Sequence, residues 1–176
     1  VNGLHTEVLD SVICLFNSPL IQNNLRGLYV ETLVSIVLGK NWNVVSTDWS
    51  AWDIEHEDGT RLEVKQSAAK QTWYVDGRSG AVGRFGIQAA KYVWENDARK
   101  EAAGRQASIY VFAWHGTLDE TADYRDAGQW EFYVVAESEL PNQRSIGLKS
   151  LRKLTHSVCA DELLERVESI RIGENQ

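Results

Sequence analysis

A chain of 176 residues, 43% of them hydrophobic and without a low-complexity tract or internal repeat, is sized for one domain, residues 1–176, with a substantial core. Its longest apolar runs are far too short to cross a bilayer, and no basic segment precedes an apolar stretch and cleavage site at the N-terminus, so a cytoplasmic protein without a membrane span is expected. The net charge of −7 argues against a nucleic-acid partner unless basic residues gather locally, and the two cysteines, Cys14 and Cys159, lack both disulfide-framework and zinc-ligand spacing and are expected as small buried hydrophobes.

Two helices open the predicted order. In the second, Leu25 to Leu38, the residues Leu25, Tyr29, Val30, Leu33, Val34, Ile36 and Val37 cover most of the circumference and leave a narrow polar stripe of Asn24, Glu31, Thr32 and Ser35. A helix so apolar is expected to be covered on several sides. Its one carboxylate, Glu31, is then either an exposed stripe residue or a group facing a site.

Residues 50 to 57 alternate, with Trp52, Ile54 and His56 against Asp53, Glu55 and Glu57, and 61 to 65 set Leu62 and Val64 against Arg61, Glu63 and Lys65; both are predicted strands. Asp58-Gly59 between them signals a turn. A two-residue loop would set Asp53 against Val64 and mix polar with apolar residues on both faces. A three-residue loop, Glu57-Asp58-Gly59 with the glycine left-handed, instead pairs Asp53 with Glu63, Glu55 with Arg61, Ile54 with Leu62 and Trp52 with Val64, and is predicted for that reason. Two carboxylates then stand roughly 5 Å apart, a repulsive arrangement that a cation reverses. Mg²⁺, with Mn²⁺ as substitute, prefers oxygen ligands, and Asp53, Glu63 and the backbone carbonyl of Val64 would make an open site for it. Lys65, about 7 Å along the strand from Glu63 on the same face, can reach a metal-bound water or a phosphate. The plain alternative is a solvated face with a Glu55–Arg61 ion pair. Gln66 either extends the site or simply ends the strand.

Residues 74 to 86 hold four glycines and the arginines Arg78 and Arg84, a loop signature without the lysine and spacing of a nucleotide-binding P-loop. The segment reads as a surface loop or as an arm closing over DNA, with Trp73 beside it as a base-stacking or core residue. Ile87 to Ala103 is a predicted helix, Ser108 to Trp114 a largely buried strand, Trp130 to Ala136 another strand, and Ser145 to Leu154 and Ala160 to Val167 are helices. His115 reads as a structural imidazole, and His5-Thr6-Glu7 lacks the second histidine of a zinc-protease motif. Helix, helix, three strands, helix, two strands and helices together predict an α/β fold with a mixed central sheet flanked by helices.

Charge is unevenly spread: residues 1 to 60 carry two basic and eight acidic groups, 61 to 105 nine and five, and 106 to 176 seven and twelve. The positive middle third contains Lys70, Arg78, Arg84, Lys91, Arg99, Lys100 and Arg105, enough for a local basic groove despite the overall sign.

A helical glutamate (Glu31), a strand aspartate (Asp53) and then Glu63-x-Lys65 resemble the PD-(D/E)XK phosphodiesterase superfamily over roughly residues 20 to 115, with Trp52-Asp53 where the name-giving pattern has Pro-Asp. The resemblance implies the restriction endonuclease-like αβββαβ core and a metal-dependent DNA endonuclease of the restriction, repair, recombination or transposition type. It implies one or two Mg²⁺ ions on Asp53, Glu63 and the Val64 carbonyl, with Glu31 at a second ion or acting through water, and a catalytic set of Glu31, Asp53, Glu63, Lys65 and Gln66. Two adjacent carboxylates favour the protonated lysine, so Lys65 is expected to stabilise charge on the attacked phosphate as an ammonium. DNA contacts would fall to Lys70, Trp73, Arg78 and Arg84, and a homodimer would suit double-strand cutting, although no dimer face is legible. Two other readings stand beside it: a superfamily member without catalysis that acts as a DNA- or protein-binding module, and an unrelated α+β interaction domain with a solvated charged hairpin.

Overall fold

The computed structural model describes residues 3–45, 50–89, 92–95, 98–102 and 104–174. Helices α1 (Leu4–Cys14) and α2 (Asn23–Leu38) precede an antiparallel meander of β1 (Trp42–Val44), β2 (Ile54–His56) and β3 (Arg61–Ala68). The chain then passes through β4 (Arg84–Gly86), β5 (Tyr92–Glu95) and β6 (Ala98–Glu101) before β7 (Ile109–His115) returns parallel to β3, and β8 (Trp130–Ala136) pairs antiparallel with β7. The result is a mixed five-stranded sheet in the order β1-β2-β3-β7-β8. β9 (Ser145–Gly147) pairs with β4 outside that sheet, and α3 (Leu148–Leu154) and α4 (Ala160–Glu174) follow.

Alternation along the strands divides the core in two. Ile109, Val111 and Ala113 of β7 join Leu62 and Val64 of β3 beneath Val30, Val34 and Leu38 of α2 and Leu163 and Val167 of α4. Tyr110, Phe112 and Trp114 face the other way, onto Phe85, Ile146 and Leu151. With both faces covered, β7 is apolar at nearly every position, which is why it was legible as a buried strand.

The hairpin closes with the expected odd loop: Gly59 has φ +87°, its N–H donates to the His56 carbonyl at 2.8 Å, and His56 N–H donates to the Thr60 carbonyl at 2.9 Å. Ile54 pairs with Leu62 and Glu55 with Arg61. β2 is shorter than predicted, starting at Ile54, because the Asp53 carboxylate takes the Val64 N–H at 2.7 Å, the donor that the residue-52 carbonyl would use in a continued strand. Trp52 consequently leaves the ladder. It packs on the opposite core with the Arg61 guanidinium 3.8 Å from its ring centroid, instead of pairing with Val64.

Other expectations are corrected. The helix predicted over 87–103, the second helix of the αβββαβ order, gives way among the described residues to the β5–β6 hairpin, with Tyr92 opposite Glu101 and Glu95 opposite Ala98. Tyr92, Val93 and Trp94 are strand-forming types, and that preference outweighs the helical spacing read from Ile87 onward. Arg84–Gly86, inside the predicted loop, pairs with Ser145–Gly147, the start of a predicted helix, so neither segment could be read without the other. α2 is covered on several sides as expected, with Arg26, Val30, Val34 and Leu38 buried and Leu25, Tyr29, Leu33 and Val37 packed on the core, but Leu28 at 51% and Ile36 at 73% exposed lie on its open stripe; α1 buries no residue. Cys14 and Cys159 are both exposed, one on the uncovered α1 and one just ahead of α4. Among the described residues no helix is long and apolar enough to cross a membrane.

Gly83, just ahead of β4, lets backbone and core approach closely. A Cβ there would lie 2.9 Å from Leu148 Cβ and 3.1 Å from two Trp114 ring carbons, none of them the free end of a flexible chain. Gly83→Ala is expected to cost about 1–3 kcal/mol through overpacking. The check is urea unfolding, where the midpoint falls at unchanged slope; an unmoved midpoint would mean that Leu148 and Trp114 yield freely.

Candidate active site

β2 pairs with β3 only through Leu62 and Arg61, while the Asp53 carbonyl still accepts the Val45 N–H at 2.9 Å. Asp53 N–H still donates to the Leu62 carbonyl at 3.1 Å, and the sheet splits beyond that bond, with β2 staying beside β1 and the next β3 donor, Val64 N–H, taken by the Asp53 side chain. A residue's N–H and C=O leave a strand on the same edge, so the Val64 carbonyl faces this split together with the N–H that Asp53 holds. Glu63 and Lys65 enter from β3 as an ion pair, their side chains 14% and 34% exposed. Glu31 comes in from α2.

Electrostatics tie the four groups together. Burial pushes the Asp53 carboxyl up, against the pull of the Val64 N–H and the Lys65 ammonium. Burial likewise raises Glu63, where Lys65 opposes and the Asp53 charge adds. Glu31 is pushed up to about 7, by burial first and then by the Asp53 charge, with Lys65 opposing and Glu63 adding. Three carboxylates thus crowd one lysine. Negative charge is in excess there.

Glu31 makes that excess measurable. Its proton is held more tightly in the folded than in the unfolded chain, so it subtracts stability as pH rises from 4.5 to about 7 and the loss is complete above that range. Glu31→Gln removes the titration. The variant is expected to match wild type below pH 4.5 and to be the more stable of the two above about pH 7, in thermal melts with chelator present. Parallel curves across that window would take Glu31 out of the acidic pocket.

Gln66 lies on the α2 side of β3. Its Oε1 accepts from Arg26 Nε at 2.6 Å, and its Nε2 donates to the Asn23 carbonyl and Oδ1 at 3.3 Å each. A Cβ on Gly27 would stand 3.8 Å from Glu31 Oε1 and 3.9 Å from Gln66 Nε2, so Gln66 borders Glu31 across that bare glycine. Sequence reasoning missed Arg26, which is 1% exposed and also donates to Gln71 Oε1 at 3.2 Å, Tyr124 Oη at 2.8 Å and Asn23 Oδ1 at 2.6 Å. Burial lowers its pKa, and no carboxylate is among these partners. Its only advance signal was a cation in a helix that is apolar around most of its circumference. Tyr110 was missed too: it stands beside Glu63 in the β3–β7 register, and burial and then the Glu63 charge raise its phenol.

The DNA-contact candidates are placed less coherently. Lys70 Nζ donates to the Asp119 carbonyl at 2.7 Å, and Arg84 donates to Ser145 Oγ at 3.0 Å. Trp73 is 71% exposed, and the Arg78 guanidinium has no partner among the described residues. Arg105 is removed from the basic groove, since its guanidinium is buried on Glu137, at 2.7 Å, and on the Ile87 and Pro141 carbonyls. Lys91 and the side chain of Arg99 lie outside the described part. His115 is buried between Tyr124 and Trp130 with Nε2 at 3.3 Å from the Asp123 carbonyl, a structural imidazole.

Among the described residues no three His, Cys, Asp or Glu side chains form a metal-ligating group. One Glu63 oxygen is taken by Lys65, and one Asp53 oxygen by Val64 N–H. No family model, curated protein or solved structure matches the chain.

Proposed function

We propose that the chain is a divalent-metal-dependent phosphodiesterase that hydrolyses DNA, a member of the PD-(D/E)XK superfamily with Glu31, Asp53, Glu63 and Lys65 as its working set. The observation that carries this reading is the split between β2 and β3, where the Asp53 carboxylate holds the Val64 N–H beside the Glu63–Lys65 ion pair, and Asp53, Glu63 and Glu31 influence one another's charge and are all raised in pKa. The donor set fits a hard cation, being carboxylate and carbonyl oxygens throughout. Mg²⁺ or Mn²⁺ on Asp53, Glu63 and the Val64 carbonyl, with Glu31 alongside, would supply the Lewis acidity that activates water and neutralises phosphate charge. The chain's own groups do the rest. Val64 N–H fixes the Asp53 carboxylate by one oxygen and leaves the other free. Glu63 presents Lys65, which is one-third exposed, where an incoming phosphate competes for its ammonium.

One observation favours a second reading, a catalytically inactive DNA- or protein-binding module: the carboxylates do not converge as a three-ligand group among the described residues. Supercoiled plasmid, linear duplex and single-stranded DNA, each with Mg²⁺, Mn²⁺ or chelator, separate the two. Cutting that chelator stops supports the phosphodiesterase. Absence of cutting, together with absence of Mn²⁺ uptake in calorimetry, leaves the binding module.

A further inference from the structure

The turn that follows β3 closes on itself. Ala81 N–H donates to the Ala69 carbonyl at 2.8 Å across its neck, Tyr74 N–H to the Gln71 carbonyl at 2.9 Å, and Tyr74 Oη to the Arg78 carbonyl at 2.7 Å. Gly80 is pressed so tightly against Leu118 and the Ala69 carbonyl that a Cβ would stand 2.5 Å and 3.1 Å from them. Gln71 anchors the turn inward through Arg26 and through the Ala68 carbonyl, at 3.2 Å and 2.7 Å. The segment is an exposed surface loop whose neck and base are tied by these bonds.

The turn borders a half-open pocket of about 230 Å³ lined by Trp73, Tyr74, Arg78, Ala69 and Gln71 among others. That volume lies below the roughly 300–1,000 Å³ of drug-sized sites and suits one planar ring system. One wall is the Trp73 indole, 71% exposed and stacked on no ring among the described residues, and beside it stands the Arg78 guanidinium without a partner among the described residues. An exposed indole is a stacking face open to any base, and a free guanidinium is a phosphate donor. The pocket begins at Ala69, four residues beyond Lys65, roughly 13 Å along the strand direction.

We infer that this pocket takes one unpaired nucleobase of the substrate strand, with Trp73 stacking on the base and Arg78 on the adjoining phosphate, so that the strand being cut is single-stranded or locally unpaired near the scissile bond. The inference rests on the phosphodiesterase reading and adds the strand form. A base inside a duplex has both faces covered by its neighbours, so only an unstacked one can use the indole. Arg26 acts here as a positioning residue, because the same guanidinium holds Gln71 at the pocket and Gln66 beside Glu31.

The test uses a fluorescein-labelled oligothymidylate and a blunt duplex, titrated by anisotropy with chelator present. Wild type is expected to bind the single strand more tightly, Trp73→Ala to lose roughly tenfold or more of that affinity, and Trp73→Phe to keep most of it. Arg78→Ala is expected to lower the salt dependence of single-strand binding by about one phosphate contact. Unchanged melting of Trp73→Ala confirms its fold. Equal affinity of Trp73→Ala and wild type, or a preference for duplex, overturns the inference while leaving the phosphodiesterase reading in place. A wild-type protein that binds neither strand form and takes up no Mn²⁺ ends both.

Discussion

Asp53→Asn and Lys65→Ala are each expected to lower metal-dependent cleavage by roughly a thousandfold or more, the scale on which preorganised electrostatic groups act. Asparagine is the sharper replacement at position 53, because its side-chain oxygen can still accept the Val64 N–H that holds the strand end, so the charge is lost and the hydrogen bond is kept. Melting should therefore not fall, and at a pH where Asp53 is charged it should rise, as for Glu31→Gln, because a carboxyl whose pKa burial raises is gone. Lys65→Ala acts by a different route. It removes the one ammonium opposing burial at Asp53, Glu63 and Glu31, so all three carboxyls rise further and Mn²⁺ uptake moves to higher pH. Plasmid nicking and calorimetry across pH read the two effects. An Asp53→Asn protein that cuts at the wild-type rate would place the chemistry elsewhere.

Arg26→Met is expected to cost on the order of 3 kcal/mol, even though methionine fits the length of the arginine stem. The guanidinium satisfies Gln66, Gln71, Asn23 and Tyr124 at once, and its carbon sits 4.8 Å over the Tyr124 ring. Removing it takes the donor from Gln66 Oε1 and Gln71 Oε1 in a partly buried place, while Asn23 Oδ1 keeps Gln66 Nε2 and Tyr124 Oη keeps the Lys70 carbonyl, and water restores only some of the lost bonds. For a chain of this size the loss corresponds to a melting temperature lower by roughly 6–12 °C. Arg26→Lys keeps the charge but not the planar fork, so it should fall between the two. A melting temperature unchanged in Arg26→Met would show that the network adds nothing to the fold.

These variants probe features that were unequally visible in the chain. The hairpin that carries Glu63 and Lys65 was legible because a strand's two-residue period and an Asp-Gly turn are local, and the three-residue loop follows from keeping Ile54, Leu62 and Val64 on one side. β7, β8, α2 and α4 were legible for the same reason, their apolar spacing being continuous over most of each element. Arg26 was not legible. Tyr124 lies 98 residues from it in sequence, and no local pattern announces a cation that the fold will bury.

What the sequence by itself determined is the α/β class, the three-residue hairpin loop and the Ile54–Leu62 and Glu55–Arg61 pairs, whereas the expected Asp53–Glu63 and Trp52–Val64 pairs do not form in the ladder. Tertiary structure decided the rest. It stopped β2 at Ile54 through an Asp53 side chain that took a strand donor, turned Trp52 to the far core, made strands of 92–95 and 98–101 where a helix was expected, and paired Arg84–Gly86 with Ser145–Gly147. The physical reason is that backbone donors and buried charges choose among partners distant in the chain, and that choice is made by packing, which periodicity does not record.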